Sequence, residues 1–498
     1  MLYTSTRNKQ IKVSAAQAIA QGISEEGGLF VPCELPQFSV EEIGKMTAMT
    51  YVERAKTVLR TFLTDFTEEE ISYCVEGAYA KGKFSSEKIA PTVHISENEN
   101  ILELWHGPTC AFKDMALQLL PYLMTVAAKK TVDGKKIIIL VATSGDTGKA
   151  ALEGFKDVPG TGILVFYPVD GVSPMQKLQM TTQEGENVAV CAINGNFDDA
   201  QSAVKAIFTN EEIKAALAEK NMMFSSANSI NWGRLVPQIV YYFSAYADMV
   251  EQGRIALGEE INVVVPTGNF GNILAGYYAK KMGVPIKKLI CASNSNNILT
   301  DFLTSGEYNK NRPFYTTTSP SMDILISSNL ERLLYHAAGE DDKLVTELMN
   351  DLQQNGVYRV SDALLSEIRT CFDAGFADEK AVFATIKDHS DRFGYLLDTH
   401  TAVAVSVYKD YVVRTGDDLP TVIDSTASPF KFPKSVLNAV TGNADETVDE
   451  FETIEQIHTL LGAEVPAPLA ALKGKASRFS EVCNKENMSK MVFKLLHI

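Results

Sequence analysis

Apolar positions along this chain change their period twice in the same way. At 136–142, KIIILVA is apolar at six consecutive positions after its leading lysine, the pattern of a strand buried on both faces. TSGDTG (143–148) breaks the run, and KAALEGF (149–155) resumes with helical spacing. The order repeats at 261–283, where INVVVP reads as strand, TGNFGN (267–272) as turn and ILAGYYAKKMG as helix. Further short strands are predicted at Gly162–Tyr167, Asn187–Ile193, Lys288–Ala292 and Thr421–Ile423. Alternation of this kind predicts an α/β fold: parallel sheets with helices on both faces.

Residues 1–95 have a different texture. Turn signals such as GISEEGGLFVPCELP alternate with amphipathic stretches such as EEEISYCVEGAYAKG, which predicts a small leading lobe. The expected division is therefore an N-terminal lobe over 1–95, a first αβα lobe over 96–235 and a second over 236–498. Between about Glu331 and Arg392 the pattern is mostly helical, with acidic and alanine-rich faces that read as solvated. More helix is expected after Thr441, with a turn at VPAPLAAL. A chain of 498 residues exceeds what one hydrophobic core supports, which agrees with several lobes.

Composition narrows the classes of function. Apolar residues at 45% and charged ones at 22% mark an ordinary globular protein rather than a disordered one. The formal net charge of −16 disfavours nucleic acid as a partner, and any anionic ligand must be held by a local cradle against the overall field. Seven scattered cysteines without C-x-x-C spacing fit a reducing compartment, expected to be the cytoplasm. The histidines lack H-x-x-x-H spacing, so no metal is expected. The polar start MLYTSTRNKQ lacks an apolar signal core, and no apolar run approaches membrane-spanning length.

A strand, a glycine turn and a helix start together present free N–H groups and a helix dipole to an anion. PTGNFGN offers this at Gly268 and Gly271, with Asn269 and Asn272 as side-chain donors. TSGDTG offers Ser144, Gly145 and Thr147, but also Asp146, an odd neighbour for phosphate unless it contacts a cation or hydroxyl instead. GDTGK falls short of a Walker A motif, because Ala150 stands where Ser or Thr is needed and the glycine spacing is too short. Neither turn is G-x-G-x-x-G, so the dinucleotide fingerprint is absent. In LWHGPTCAFKDMALQLL (104–120), Lys113 sits among apolar residues, where lysine is seldom found without reason. A cofactor that carries one phosphate and needs a lysine is pyridoxal phosphate, and a second cradle would then serve a phosphate on the substrate.

Seven segments, in order, carry a resemblance: HGPTCAFKD, ATSGDTG, NSINWGR, PTGNFGN, PSMDILISSNLERLL, DTHTAV and STASPFKF. Together with the opening YTSTRN…GGLFVP, they resemble the threonine synthases, in the longer bacterial and fungal branch of the fold type II pyridoxal phosphate enzymes. The resemblance implies that the cofactor lies between the two αβα lobes in Schiff-base linkage to Lys113. It implies that Gly268, Asn269, Phe270, Gly271 and Asn272 hold its phosphate and that Thr426 bonds its ring nitrogen. Asp146 stands where related enzymes place an asparagine beside the ring oxygen. The last segment departs from the more usual A-T-A-H-P-A-K-F: Ser428 replaces His and Phe430 replaces Ala, while Lys431 is retained.

The implied reaction converts O-phospho-L-homoserine and water to L-threonine and phosphate, with the freed Lys113 amine as general base. Ser144, Thr147, Arg234 and Asn228 are the candidates for the substrate phosphate, Arg because it binds phosphate bidentately. Asp323, Arg332 and His400 fall in family-like segments without a chemical role legible in sequence, and the role of His106 is open. Two rivals stand beside this reading: a phospho-lyase or dehydratase on the same scaffold that releases a 2-oxo acid, and a non-catalytic sensor of phosphorylated metabolites.

Overall fold

A computed structural model of the chain describes residues 1–498 except 133, 144, 170, 171, 209, 444, 446, 497 and 498. Both apolar runs form strands over the spans that their pattern marks. In chain order, the strands of the two large sheets are β1 (Thr92–His94), β2 (Glu99–Glu103), β3 (Lys136–Ala142), β4 (Thr161–Pro168) and β5 (Val188–Asn194). They continue as β6 (Met222–Ser225), β7 (Ile261–Pro266), β8 (Ile286–Ser293), β9 (Phe372–Phe376), β10 (Thr421–Ser425) and β11 (Val482–Asn484). The helices that bear on the site are α1 (Lys113–Leu117), α2 (Asp146–Phe155), α3 (Pro174–Thr181), α4 (Trp232–Glu251), α5 (Gly271–Lys281), α6 (Leu330–Ala337) and α7 (Thr399–Thr415).

One sheet has the order β11-β5-β4-β3-β6 and is parallel throughout. The other runs β9-β8-β7-β10-β2-β1 and is parallel except where β1 meets β2. A small antiparallel sheet of Tyr3–Ser5, Asn8–Val13 and Phe30–Pro32 leads the chain. Sheet membership does not follow the linear order. β2, ahead of Lys113, pairs with β10, setting Glu103 opposite Ser425. β11, near the other end, pairs with β5, setting Cys483 opposite Ile193. The segments 96–235 and 236–498 thus each place a strand in the sheet built mainly by the other.

Two local readings differ from the structure. FDAGF lies inside the stretch read as mostly helical, yet it forms β9 along β8. Asp and Gly are poor strand formers, so the backbone partner rather than local propensity decides this segment. VPAPLAAL contains a short helix, Ala467–Ala470, where a turn was expected.

Side chains of successive strand residues point to opposite faces, and the six-stranded sheet shows this clearly. Leu102, Val263, Val265 and Val422 belong to the large core cluster that contains α4 and α5. Ile101, Val264, Ile290 and Ile423 lie on the other face, against α7. The carboxyl ends of β2, β3, β7 and β10 lead directly to the segments of Lys113, Asp146, Gly268 and Thr426. In α/β sheets this is the end at which ligands bind.

Candidate active site

Lys113 opens α1, and the turn before it is locked by its own neighbours. Asp114 accepts hydrogen bonds from the Thr109 N–H (2.8 Å) and hydroxyl (2.7 Å). Cys110 has a left-handed backbone, with φ of 59°. Gly107 is needed beside this cap, because a Cβ there would meet Asp114 at 2.5 Å. On the far side, Phe112 donates its N–H to the Thr426 carbonyl at 2.8 Å, and Ala111 bridges to Ala427. The segment that follows β10 therefore fixes the lysine turn from above.

The Lys113 amine donates to Ser321 Oγ at 3.0 Å and lies 3.7 Å from Asp146 Oδ2. Burial removes water from the ammonium and is the main cause lowering its pKa to about 8. Asp146 opposes that shift, while Lys431 and Arg234 add to it. The Asp146 carboxylate is itself held well below the usual range. Burial would raise it, but Lys431 at 2.7 Å and Lys113 outweigh that cost. The odd carboxylate of the glycine turn thus faces cations and a hydroxyl: the Gln176 amide of α3 donates to it at 3.1 Å, and Ser321 Oγ at 3.5 Å. Gly145, at φ 140°, leaves room for that glutamine, since a Cβ would meet Gln176 at 2.4 Å.

Lys431 is fully buried and also donates to the Thr109 carbonyl at 3.0 Å, tying the lysine turn to the Asp146 turn. Ser428 accounts for its own place: it donates its N–H to the Cys110 carbonyl, and its hydroxyl accepts from Phe430, capping the turn Pro429–Lys431. Ser321 is anchored through its N–H to His400 Nε2 at 3.2 Å, which puts the imidazole proton on Nδ1, 3.0 Å from Asp398.

The second glycine turn is a cradle of donors. The N–H groups of Gly268, Asn269, Phe270, Gly271 and Asn272 find no acceptor among the described residues, and they surround the start of α5. Phe270 holds the turn in the left-handed region at φ 62°, with its ring buried beside Phe372. The carbonyls point the other way: that of Gly268 accepts from Ser327 Oγ (2.8 Å) and that of Asn269 from the Asn329 amide (3.0 Å). Gly268 is small for a different reason than close approach of a ligand, because a Cβ would meet the Ser321 carbonyl at 2.6 Å. The Asn272 side chain differs from the sequence reading. Its Oδ1 accepts from Tyr241 and Tyr242 behind the turn, so only its backbone serves the cradle.

The remaining candidates separate. Arg234, on the first turn of α4, is buried, bonds the Ala227 carbonyl at 2.9 Å and has no carboxylate partner among the described residues. Burial lowers its pKa to about 10. Thr147 is half-buried and its hydroxyl makes no hydrogen bond to a described residue. Asn228 is exposed, with only backbone contacts to Ser226 and Asn231. Ser144 lies outside the described residues. His106 bonds Glu103 and Ser85 and stacks on Trp105, a structural set. Asp323 gathers Asn294, Asn296 and Thr317, while Arg332 spans Phe30, Ile230 and Asn329. Sequence reasoning missed Ser321 and Gln176 and gave Lys431 no role. A serine and a glutamine carry no cue until the fold sets them beside Asp146.

These groups answer the needs of one cofactor, pyridoxal phosphate. Five free N–H groups at a helix start suit its phosphate, a desolvated lysine amine suits its aldehyde, and the Thr426 hydroxyl makes no hydrogen bond to a described residue. The sequence model of pyridoxal-phosphate dependent enzymes matches residues 101–416, which defines the class. Models of the threonine synthase N terminus and of the threonine synthase C-terminal region match residues 2–79 and 401–492. The chain belongs to the threonine synthase family of pyridoxal-phosphate dependent enzymes.

It is 39% identical to the threonine synthase of Pseudomonas aeruginosa, over 89% of this chain and 91% of that protein. Human threonine synthase-like 1 is 42% identical over 86% of this chain, but the chain spans only 58% of that protein's length. The crystal structure of PLP-bound threonine synthase from Brucella melitensis superposes with a TM-score of 0.88 at 39% identity, covering 100% of this chain and 98% of that one. Among the described residues no helix is long and apolar enough to cross a membrane.

Proposed function

We propose that this chain is a threonine synthase, converting O-phospho-L-homoserine and water to L-threonine and phosphate. The observation that carries the proposal is a desolvated lysine amine in a site that contains two separate anion holders. One is the N–H cradle at 268–272, and the other is Arg234, a buried guanidinium with no carboxylate partner among the described residues. A cofactor phosphate and a substrate phosphate each need one.

In this reading Lys113 carries pyridoxal phosphate and Gly268, Asn269, Phe270, Gly271 and Asn272 receive its phosphate on their N–H groups. Thr426 meets the ring nitrogen. A neutral hydroxyl there avoids the full ring protonation that a carboxylate would enforce. Asp146, its charge offset by Lys431, stands beside the ring oxygen. When bound, the cofactor supplies the electron sink for charge developing on the substrate. Lys113 Nζ removes the Cα proton, a task suited to an amine whose pKa is about 8. Asp146 and Ser321 hold that amine in place while it is free. Arg234 and Thr147, with Ser144 and Asn228, take the substrate phosphate and orient it for departure.

The proposed organisation is a leading lobe (1–95) and two αβα lobes (96–235 and 236–498) that exchange strands, with the cofactor between them. Seven cysteines without disulfides support a cytoplasmic setting, and the charge of −16 opposes nucleic-acid binding. Incubation with O-phospho-L-homoserine and pyridoxal phosphate should release threonine and phosphate in equal amounts. Phosphate accompanied by 2-oxobutyrate would assign the chain to the phospho-lyases instead.

A further inference from the structure

Behind the cradle lies a carboxyl group that no step above uses. Asp424 is fully buried on β10, on the sheet face covered by α4 and α5. Tyr242 of α4 places its hydroxyl 2.8 Å from Asp424 Oδ2 and 2.6 Å from Asn272 Oδ1. Asn272 Oδ1 also accepts from Tyr241 at 2.5 Å. A phenol has one proton, so the Tyr242 hydroxyl cannot donate to both Asp424 and Asn272. Asp424 Oδ1 is buried and makes no hydrogen bond to a described residue, so an ionised carboxylate would leave a charged oxygen without solvation. A proton on Asp424 Oδ2, donated to Tyr242, leaves only a neutral carbonyl there.

The surroundings agree. The titratable groups that face Asp424 are the phenols of Tyr241 and Tyr242, both kept neutral by burial. β2 sets Leu102 opposite it, α5 contributes Asn272, and no cation among the described residues shifts its titration. Burial raises its pKa, which stands at about 7 against the opposing pull of Tyr242 and Asn272.

We propose that Asp424 is the proton reservoir of the anion cradle, so that a phosphate held on the N–H groups of Gly268–Asn272 and a proton on Asp424 stabilise each other. The proposal rests on the assignment of that cradle to the cofactor phosphate. A carboxylate one hydrogen-bonded step behind the turn repels an incoming dianion. Binding therefore draws a proton from solvent onto Asp424, and by reciprocity the proton strengthens binding. Asp424 is a positioning residue here, acting through Tyr242 and Asn272.

The test compares pyridoxal phosphate with pyridoxal, which shares the aldehyde and ring but lacks the anion. The ratio of their dissociation constants isolates the phosphate contribution, and Lys113 titration cancels. Between pH 6 and 8 the preference for pyridoxal phosphate, Kd of pyridoxal over Kd of pyridoxal phosphate, should fall further in the native protein than in Asp424→Asn, by about fivefold if phosphate raises the Asp424 pKa by one unit and by at most about tenfold. Identical pH courses in the two proteins would overturn the proposal. Pyridoxal phosphate binding no tighter than pyridoxal at any pH would overturn the cradle assignment itself. Should Asp424→Asn fail to fold, titration calorimetry of the native protein at pH 8 in two buffers of different ionisation enthalpy replaces it. At that pH the cofactor phosphate is already dianionic, so proton uptake in excess of that seen with pyridoxal supports coupling and zero excess refutes it.

Discussion

Lys113 and Lys431 are both buried lysines within reach of one carboxylate, and their difference rests on exposure and partners. Lys431 is fully buried and held at 2.7 Å, whereas Lys113 keeps a tenth of its side chain open and stands 3.7 Å away. The first is a fixed counter-charge and the second a group that can be released for work. In the apoprotein, Lys113 should acylate with a midpoint near pH 8, about two units below an exposed lysine, as read by mass-resolved labelling across pH. The sign for stability follows: a lysine whose folded pKa is lowered is penalised below about 8, and that penalty is relieved as pH rises toward the unfolded value. Asp146→Asn should move the Lys113 midpoint downward, because the carboxylate is what raises it. It also strands Lys431, a change that costs about 3–5 kcal/mol when one partner of a buried pair is removed. Thermal unfolding of Asp146→Asn should therefore fall steeply, and Asp146→Asn combined with Lys431→Met should recover part of the loss.

At the scale of elements, the glycine turns are held by what packs on them. Gly268→Ala would drive a methyl into the Ser321 carbonyl at 2.6 Å, displacing the residue that holds Lys113. Cofactor affinity and the labelling midpoint of Lys113 should both change in Gly268→Ala, whereas a turn that served only to admit phosphate would alter affinity alone. This is also where sequence reading reached its limit. KIIILVA and INVVVP announce their strands because continuous β-branched runs have few other fates. Of the two turns read after them as anion cradles, the one at 267–272 has N–H groups unpartnered among the described residues, whereas Gly145 and Gly148 of the other donate theirs to Thr143. FDAGF was not legible, because its strand conformation comes from β8. Ser321 was not, because its neighbours are joined to it only through the fold: Asp146 is 175 residues earlier and His400 is 79 later. Asn272 was read as a side-chain donor, and only the tyrosines of α4 reveal that its amide faces backward.

The molecule as a whole assembles the site from four strand ends in two sheets that lend each other strands. The tail after Ser477 closes one of them: β11 covers β5, Arg478 bonds the Gly185 carbonyl at 2.6 Å, and Met488 and Val492 are buried. No described residue of this tail hydrogen-bonds Lys113 or the cradle. Truncation at residue 476 should thus lower the unfolding temperature and promote association through the bared edge of β5, while cofactor affinity at temperatures below unfolding stays near the native value. The central claim concerns which lysine the fold reserves for the cofactor, since Lys113, Lys149 and Lys431 are all largely buried. Borohydride reduction of the cofactor-loaded protein followed by peptide mass mapping decides this most directly. A single pyridoxyl label on the peptide that contains Lys113 is the expected result, and a label on Lys431 or Lys149 would contradict it.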